Sequence, residues 1–290
     1  MVFVQLLLSG LALGAAYALV ALGFVFIVNA TGAVNFAQGD FVMAGGYTAI
    51  LLTSTFSVPI MLLLPLVAVI TFVMGVLLAL VAYFPLMRRP PATVFISTLL
   101  CGMILQNLFL VGFGPEAKSG PSLLGTGMVR FEGLEISRQS LATMVVAAGL
   151  IGLQYLLFAR TQIGRRLRAT AEDRDMAEAV GIPAKKLIAV TFGIGTSLAG
   201  VAGALLANQY FVSPTGGIPL SVFAYIAVVI GGWGSLIGAV LGSMLISIFQ
   251  VIVSAYVSYA VATGALYAAV LLIFLLRPQG IFSERIQRRA

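Results

Sequence analysis

Long apolar segments separated by short polar breaks run along almost the whole chain. The segment 60–84 is apolar on every face of a helix, whereas a strand of a membrane barrel would alternate apolar and polar residues over roughly 10 positions. A helix needs about 20 apolar residues to cross a bilayer core, and several segments satisfy this without a charge. The pattern predicts an all-α, polytopic transmembrane helical bundle and excludes a barrel. The predicted spans are 4–28, 36–53, 60–84, 92–113, 140–159, 187–207, 217–232, 235–253 and 256–276.

Two of these segments, 36–53 and 217–232, are short and interrupted by glycine. Such segments are typical of broken helices that cross only part of a bilayer, so the expected count is eight or nine spans. The first apolar run has no basic region before it and is longer than that of a signal peptide, which predicts a retained span. We expect one transmembrane domain over residues 1–290, without a separate soluble domain.

Basic residues are concentrated in a few polar segments. Of the 16 lysines and arginines, 13 lie in 88–89, in 160–186 and in the tail after residue 276, whereas the loop 114–138 carries three basic and three acidic residues. Basic loops are retained in the cytoplasm. We therefore expect 114–138 to be periplasmic and the C-terminus to be cytoplasmic, in a bacterial inner membrane; nine spans place the N-terminus outside and eight place it inside. The net charge of +7 then reflects topology, and no nucleic-acid partner is expected.

Composition excludes several kinds of chemistry. The chain is 61% hydrophobic and 9% charged, and it contains no histidine, so triads, metal sites and proton relays built on histidine are excluded. Its single cysteine, Cys101, offers neither an intrachain disulfide nor a thiolate cluster. The phosphate-binding pattern G-x-x-x-x-G-K-[ST] does not occur. We expect no enzyme activity, no metal site and no cofactor of its own.

Asp40 is the one acidic residue inside a predicted span, in the segment N-F-A-Q-G-D-F-V-M-A-G-G-Y (35–47). An ionisable residue there is costly and indicates function. A structural alternative is that Asn35 caps a helix with Gln38 three residues later, which would place Asp40 near a positive helix end. The functional and the structural interpretation are compatible if the helix begins inside the membrane and lines a pathway, because its start would then need such caps. The residues predicted to line a translocation path are Asn35, Gln38, Gly39, Asp40, Gly231, Gly232 and Gly234.

The longest polar stretch, about 160–186, carries the pattern of a helix. Apolar residues recur at near-helical spacing, two basic–acidic pairs stand at i,i+4, and Gly181 followed by Pro183 provides a stop. We predict one helix with an apolar edge for a partner. The alternative is an interfacial helix on acidic lipid, favoured by Arg165, Arg166 and Arg168, although the acidic second half disfavours lipid as the sole partner.

Three motifs resemble those of Liv-type permeases, the membrane subunits of ABC importers for branched-chain and other hydrophobic amino acids. They are N-F-A-Q-G-D at 35–40, G-G-W-G-S at 231–235 and R-P-Q-G-I-F at 277–282, so the resemblance covers nearly the whole chain. The segment 161–182 is similar to the cytoplasmic loop of that family, in which a helix of the form E-A-A-x-x-x-G docks into a groove on the ATPase. This chain departs from that form at Met176. The residues implied in ATPase coupling are Asp175, Ala177, Glu178 and Gly181.

The resemblance implies a permease subunit that pairs with a second, homologous permease. Two ATPase subunits would bind ATP and drive it, and a periplasmic protein would deliver the substrate. Leucine-like amino acids lead as substrates, while other amino acids, amides, urea and small aromatic acids stay open. Two other classes compete: a self-sufficient secondary transporter or channel, which would need more intramembrane acids than Asp40, and a membrane scaffold or enzyme, which would need clustered acid–base groups.

Overall fold

The computed structural model describes residues 2–125, 127–131 and 134–276, which form eleven α-helices and one β-hairpin. The helices are α1 (Val2–Thr31), α2 (Gln38–Ser54), α3 (Ile60–Leu78), α4 (Pro91–Phe113), α5 (Arg138–Arg160), α6 (Gln162–Glu172), α7 (Arg174–Ala179), α8 (Ala184–Tyr210), α9 (Gly217–Gly231), α10 (Leu236–Tyr256) and α11 (Tyr259–Leu276). A π-helical segment (Ala79–Tyr83) and a 3₁₀ turn (Phe84–Leu86) extend α3. Nine helices coincide with the nine predicted apolar segments. The motif at 277–282 and the basic tail lie outside the described residues.

Within the described residues, six helices are long and apolar enough to cross a bilayer, namely α1, α3 with its extension, α4, α5, α8 and α10. The other three apolar helices offer shorter apolar segments. α2 has 17 residues and α9 has 15, and the apolar segment of α11 runs over Tyr259–Ile273. The helical membrane bundle is therefore confirmed, and so are the short helices at the two glycine-broken segments. The count of eight or nine spans stays a prediction.

Two long helices, α1 and α8, form the centre of the bundle. They contact one another, and each also packs against helices of the other half of the chain: α1 against α9 and α10, and α8 against α2 and α3. Burial separates them from the periphery, because 94% of the apolar window of α1 is buried but only 17% of that of α4. Glycines permit this approach: Gly14 faces Ser247 in α10, and Gly45 faces the backbone of Gly200 in α8.

The two ends of the bundle differ in charge. Arg174 donates through Nη2 to Met87 Sδ at 3.4 Å, which places α6 and α7 beside the basic pair at 88–89. At the other end of α8, Lys118 and Val212 form a backbone bridge that attaches the loop 114–138, here called the neutral loop, to the residues that follow α8. Because α8 has 27 residues, these ends are about 40 Å apart. The separation is the one that a positive-inside orientation requires, and the side of the C-terminal tail stays a prediction.

The neutral loop contains a β-hairpin that the sequence reasoning did not anticipate. Strands β1 (Met128–Phe131) and β2 (Leu134–Ser137) pair antiparallel, and Arg130 forms an ion pair with Glu135 at 2.7 Å. The ion pair joins residues directly opposite each other in the ladder, where opposite charges stabilise strand pairing. The all-α prediction therefore holds for the bundle and is wrong for this loop.

The prediction of one helix over 160–186 is also wrong. The helix α6 ends at Glu172 and α7 begins at Arg174, because Asp173 has an extended backbone (φ −152°, ψ 108°). Its side chain accepts a hydrogen bond from the backbone N–H of Met176 at 3.0 Å. An aspartate that caps a new helix in this way competes with continuation of the preceding one.

Candidate functional site

The short helix α2 begins in the middle of the bundle. Gln38, its first residue, is fully buried, and its Nε2 donates to the carbonyl oxygen of Gly195 at 2.9 Å. Gly195 is the twelfth of the 27 residues of α8, so the contact lies near the midpoint of that long helix. From there α2 runs to one end only, where Gly46 faces Val212. The predicted broken helix is thus a short helix of 17 residues with a buried start.

A buried cluster of polar side chains surrounds this start. Asn35 donates through Nδ2 to Gln38 Oε1 at 3.2 Å and accepts from the backbone N–H of Ala37 at 3.1 Å. Gln106, on α4, donates through Nε2 to Asp40 Oδ1 at 2.6 Å. The prediction that Asn35 caps the helix is wrong, since the residue before α2 is Ala37 and Asn35 stabilises the preceding turn. Asp40 lies in the first turn of α2, where a carboxylate interacts favourably with the helix dipole.

The two short helices, α2 and α9, begin against each other. A Cβ atom at Gly39 would meet the carbonyl oxygen of Gly217, and one at Gly217 would meet the carbonyl oxygen of Gly39. The helices then run to opposite ends, because Gly46 of α2 lies beside the neutral loop whereas α9 ends beside α6. Asn35, Gln38, Gly39 and Asp40 therefore gather at a junction of two helix starts.

The other three predicted path residues lie elsewhere. Gly231, Gly232 and Gly234 are at the far end of α9, about 22 Å from its start. Gly231 packs against the backbone of Gly238 in α10, and Asn29 donates through Nδ2 to the carbonyl oxygen of Gly234 at 3.0 Å. The seven residues thus form two separate groups, and their role in a translocation path stays a prediction.

A cavity of about 380 Å³ adjoins Gly234. It opens between α6, the ends of α1 and α5, and the turn that joins α9 to α10. Trp233 forms part of its wall, 44% exposed, with its ring edge-on to that of Tyr225 at a centroid distance of 5.8 Å. Its lining includes the side chains of Phe26, Asn29, Phe158, Arg168, Glu172 and Trp233.

The segment α7 ends in a tight glycine stop. The backbone N–H of Ile182 donates to the carbonyl oxygen of Ala177 at 2.9 Å, and that of Gly181 donates to the carbonyl oxygen of Glu178 at 3.1 Å. This pair of bonds is the Schellman motif, which requires a left-handed residue. Gly181 supplies it with φ +82°. The predicted stop at Gly181 is confirmed, and its physical basis is backbone conformation.

The coupling surface is the name we give to the exposed side of α7 and its stop, formed by Asp175, Met176, Glu178 and Val180. Met176 is 67% exposed and Val180 is 76% exposed, and the two acidic residues are exposed beside them. Ala177 instead is buried against the bundle, at 3% exposure. Of the predicted coupling residues, Ala177 and Gly181 therefore shape α7, while Asp175 and Glu178 face outwards.

Sequence reasoning missed Gln106 and Gly217. Gln106 provides the hydrogen bond to Asp40, and its signal was an amide in the apolar segment 92–113. Gly217 begins α9 against Gly39, but glycine is frequent in this chain and its spacing does not distinguish this position. Both are identified by what they contact across the bundle.

Replacing Asp40 tests the buried polar cluster. Asp40→Asn keeps an oxygen acceptor for Gln106 but removes the charge from the first turn of α2, so we expect normal amounts of folded protein and uptake lower by about 2- to 30-fold. Asp40→Leu leaves the Gln106 amide unsatisfied and should cost about 1–3 kcal/mol of stability. The amount of folded protein in the membrane measures the loss of stability, and the initial uptake rate measures the loss of function.

Asn107→Leu is the matched control, because that amide is exposed and bonds within its own helix. Equal uptake by wild type and Asp40→Asn would contradict the prediction.

Comparisons with known proteins match nearly the whole chain. A family model for the permease component of the branched-chain amino acid transport system matches residues 6–276. The high-affinity branched-chain amino acid transport system permease protein BraD of Pseudomonas aeruginosa is 32% identical over 97% of this chain and 96% of its own length. The corresponding protein LivH of Escherichia coli is 30% identical over 97% and 96%. The permease protein LivM of the same bacterium is 27% identical over 91% of this chain and 67% of its own length.

Proposed function

Because this chain belongs to the family of branched-chain amino acid transport permease components, we propose that it is the membrane-spanning permease subunit of a bacterial ABC importer. Its cargo in this proposal is a branched-chain amino acid or a related small solute. The observation that carries the proposal is the extent of the family match, which includes both the helical bundle and the segment α6–α7. The chain would lie in the inner membrane and would itself hydrolyse no ATP.

A groove between α5 and α10 supports a second permease subunit as partner. The groove encloses about 510 Å³ and is lined almost entirely by apolar side chains. One wall carries Gln154, which is 6% exposed and whose amide N and O have no hydrogen-bond partner within the described residues. Both amide atoms are buried within this chain, so a partner would contact the apolar lining of the groove and not the amide itself. A second, homologous permease would cover this apolar face, in keeping with the similarity of this chain to both LivH and LivM.

The coupling surface supports an ATPase partner. A short helix with apolar Met176 and Val180 beside acidic Asp175 and Glu178 fits a groove on a soluble subunit better than it fits acidic lipid. Arg174 ties α7 to Met87, so a movement of α7 would be passed on to the connection between α3 and α4. One ATPase subunit would bind to each permease of the pair.

We place the translocation path at the junction of α2 and α9. The side chains of Asn35, Gln38 and Asp40 all bond within the protein, so they would hold the start of α2 rather than leave with the cargo. Gly39 and Gly217 close the junction by direct contact. Passage would require α2 and α9 to separate there, and a periplasmic binding protein would deliver the cargo at the end that carries the hairpin.

Reconstitution in vesicles tests this function. With a second permease, the ATPases and a leucine-binding protein, we expect leucine to accumulate only when ATP is supplied on the ATPase side. Valine and isoleucine should compete, whereas urea should not. An ATPase variant that cannot hydrolyse ATP is the control. Leucine uptake by this chain alone, driven by a proton or sodium gradient, would assign it to the secondary transporters and contradict the proposal.

A further inference from the structure

The cavity beside α6 has no role in the path or in the coupling surface. It is bounded on one side by α6 and on the other by the turn at Trp233 and Gly234. Its volume of about 380 Å³ lies at the lower end of small-molecule sites, about 300–1,000 Å³. A single amino acid fits that range better than a nucleotide or a peptide does.

Opposite charges stand one helical turn apart on the α6 wall of this cavity. Arg168 and Glu172 are at i,i+4, and both side chains are exposed. Arg168 donates through Nη1 to the carbonyl oxygen of Phe158 rather than to Glu172, so its guanidinium is held at the cavity and keeps further N–H groups for a ligand. Guanidinium groups bind carboxylates, and a carboxylate such as that of Glu172 binds an ammonium group.

The rest of the wall is mainly apolar. The aromatic rings of Phe26, Phe158 and Trp233 face the space beside the charged pair, and Asn29 supplies one amide. A ligand that matches this wall has a carboxylate and an ammonium group a few ångströms apart and an apolar side chain. Those are the features of a zwitterionic α-amino acid such as leucine.

We propose that this cavity binds a branched-chain α-amino acid on the ATPase side of the membrane and that the bound amino acid slows further import. The inference rests on the proposed function, because the imported solute accumulates on that side. A ligand between Arg168, Glu172 and Trp233 would hold α6 to the turn that joins α9 and α10.

A chain of aromatic rings connects the cavity with the start of α2. The Trp233 ring lies 5.8 Å from that of Tyr225, and the Tyr225 ring lies 6.2 Å from that of Phe36, two residues before Gln38. A ligand that fixes Trp233 would therefore restrict Tyr225 and the turn that precedes α2. Separation of α2 from α9 would become less favourable, which is the physical route to inhibition.

Inhibition from inside the vesicle tests the proposal. Vesicles that hold the complete transporter are loaded with ATP and with increasing leucine, and initial uptake of labelled leucine is measured. We expect uptake by the wild type to fall as internal leucine rises. In Arg168→Gln and Glu172→Gln, uptake without internal leucine should be unchanged, and the internal concentration that halves uptake should rise about tenfold or more, the loss expected for one charged hydrogen bond. Arg166→Gln is the control, since it changes the same helix outside the cavity.

Direct binding separates this site from the transport reaction. Labelled leucine is equilibrated with the purified transporter without the binding protein, and N-acetylleucine and leucinamide compete. We expect each competitor, which lacks one of the two charges, to bind about tenfold or more weakly than leucine, and Glu172→Gln to abolish the discrimination against N-acetylleucine. Unchanged leucine binding in both Arg168→Gln and Glu172→Gln would overturn the proposal. It would also be overturned if these variants slowed uptake into vesicles without internal leucine but left the inhibition by internal leucine unchanged. If ATP drives no leucine uptake in the wild type, the proposed function fails, and the binding measurement then decides this site on its own.

Discussion

Gly203→Val is expected to loosen the packing of α2 against α8 and to lower the thermal stability of the chain. A Cβ atom at Gly203 would meet main-chain atoms of Val42, and one at Gly45 would meet main-chain atoms of Gly200. Backbone cannot move aside as a flexible side chain does, so the helices would have to separate where α2 holds its buried start. Overpacking of this kind costs about 1–3 kcal/mol or more.

Thermal unfolding of the detergent-solubilised chain measures this effect. We expect Gly203→Val and Gly45→Val to lower the Tm by roughly 5–10 °C and to reduce the monodisperse fraction. Gly264→Val in α11 is the matched control, because a Cβ there meets open space and valine has the same helix propensity at each site. Equal Tm values for all three variants would show that α2 and α8 do not meet at their backbones.

Met176→Asp and Val180→Asp should weaken docking of the ATPase and lower substrate-stimulated ATP turnover while the chain stays folded. Both side chains are largely exposed on the coupling surface, so the substitutions disturb little within the chain. A charge introduced into an apolar contact with the ATPase would remove a central part of that interface, worth about 2 kcal/mol or more, or about 30-fold in affinity. We expect substrate-stimulated ATP turnover to fall by about that factor. Ile163→Asp on α6, which is also exposed, controls for the added charge.

Gly181 gives a second test of the same surface. Asparagine tolerates the left-handed conformation at φ +82° and valine does not, so Gly181→Asn should keep turnover near the wild-type value whereas Gly181→Val should lose it. Asp175→Asn removes one exposed charge beside it and should lower turnover less than Met176→Asp. Copurification of the ATPase with each variant reports docking directly. Full turnover in both Met176→Asp and Gly181→Val would mean that α7 is not the coupling helix.

The positions of the nine apolar helices were predictable because each depends on a run of about 20 residues whose hydrophobicity exceeds that of its flanks. The stop at Gly181 was predictable for a similar reason, since it depends on a few neighbouring residues. The break at Asp173 was not predicted. One basic–acidic pair at i,i+4 stands on each side of it, as in a continuous helix, while the Asp173 side chain competes for the backbone and starts a new helix.

The candidate site was predicted only in part. Asp40 was conspicuous as the single acid in an apolar span, but its partner Gln106 is 66 residues away in the chain. Gly231, Gly232 and Gly234 were grouped with Asp40 because both segments are short and interrupted by glycine, although α9 separates them from it. Sequence patterns report which residues are unusual for their surroundings and do not report which of them meet.

Local composition was sufficient to establish a helical membrane protein, its short glycine-broken helices and its polar segments, because insertion into lipid depends on the hydrophobicity of each segment separately. Packing in three dimensions alone established that α2 and α9 begin against each other, that Gln106 satisfies Asp40, and that α6 closes a charged cavity with the turn at Trp233. Sequence could not predict these contacts because lipid is as apolar as the helix surfaces, so hydrophobicity does not favour one helix neighbour over another. The order of helices in a bundle therefore follows from close backbone approach and a few polar contacts between distant residues.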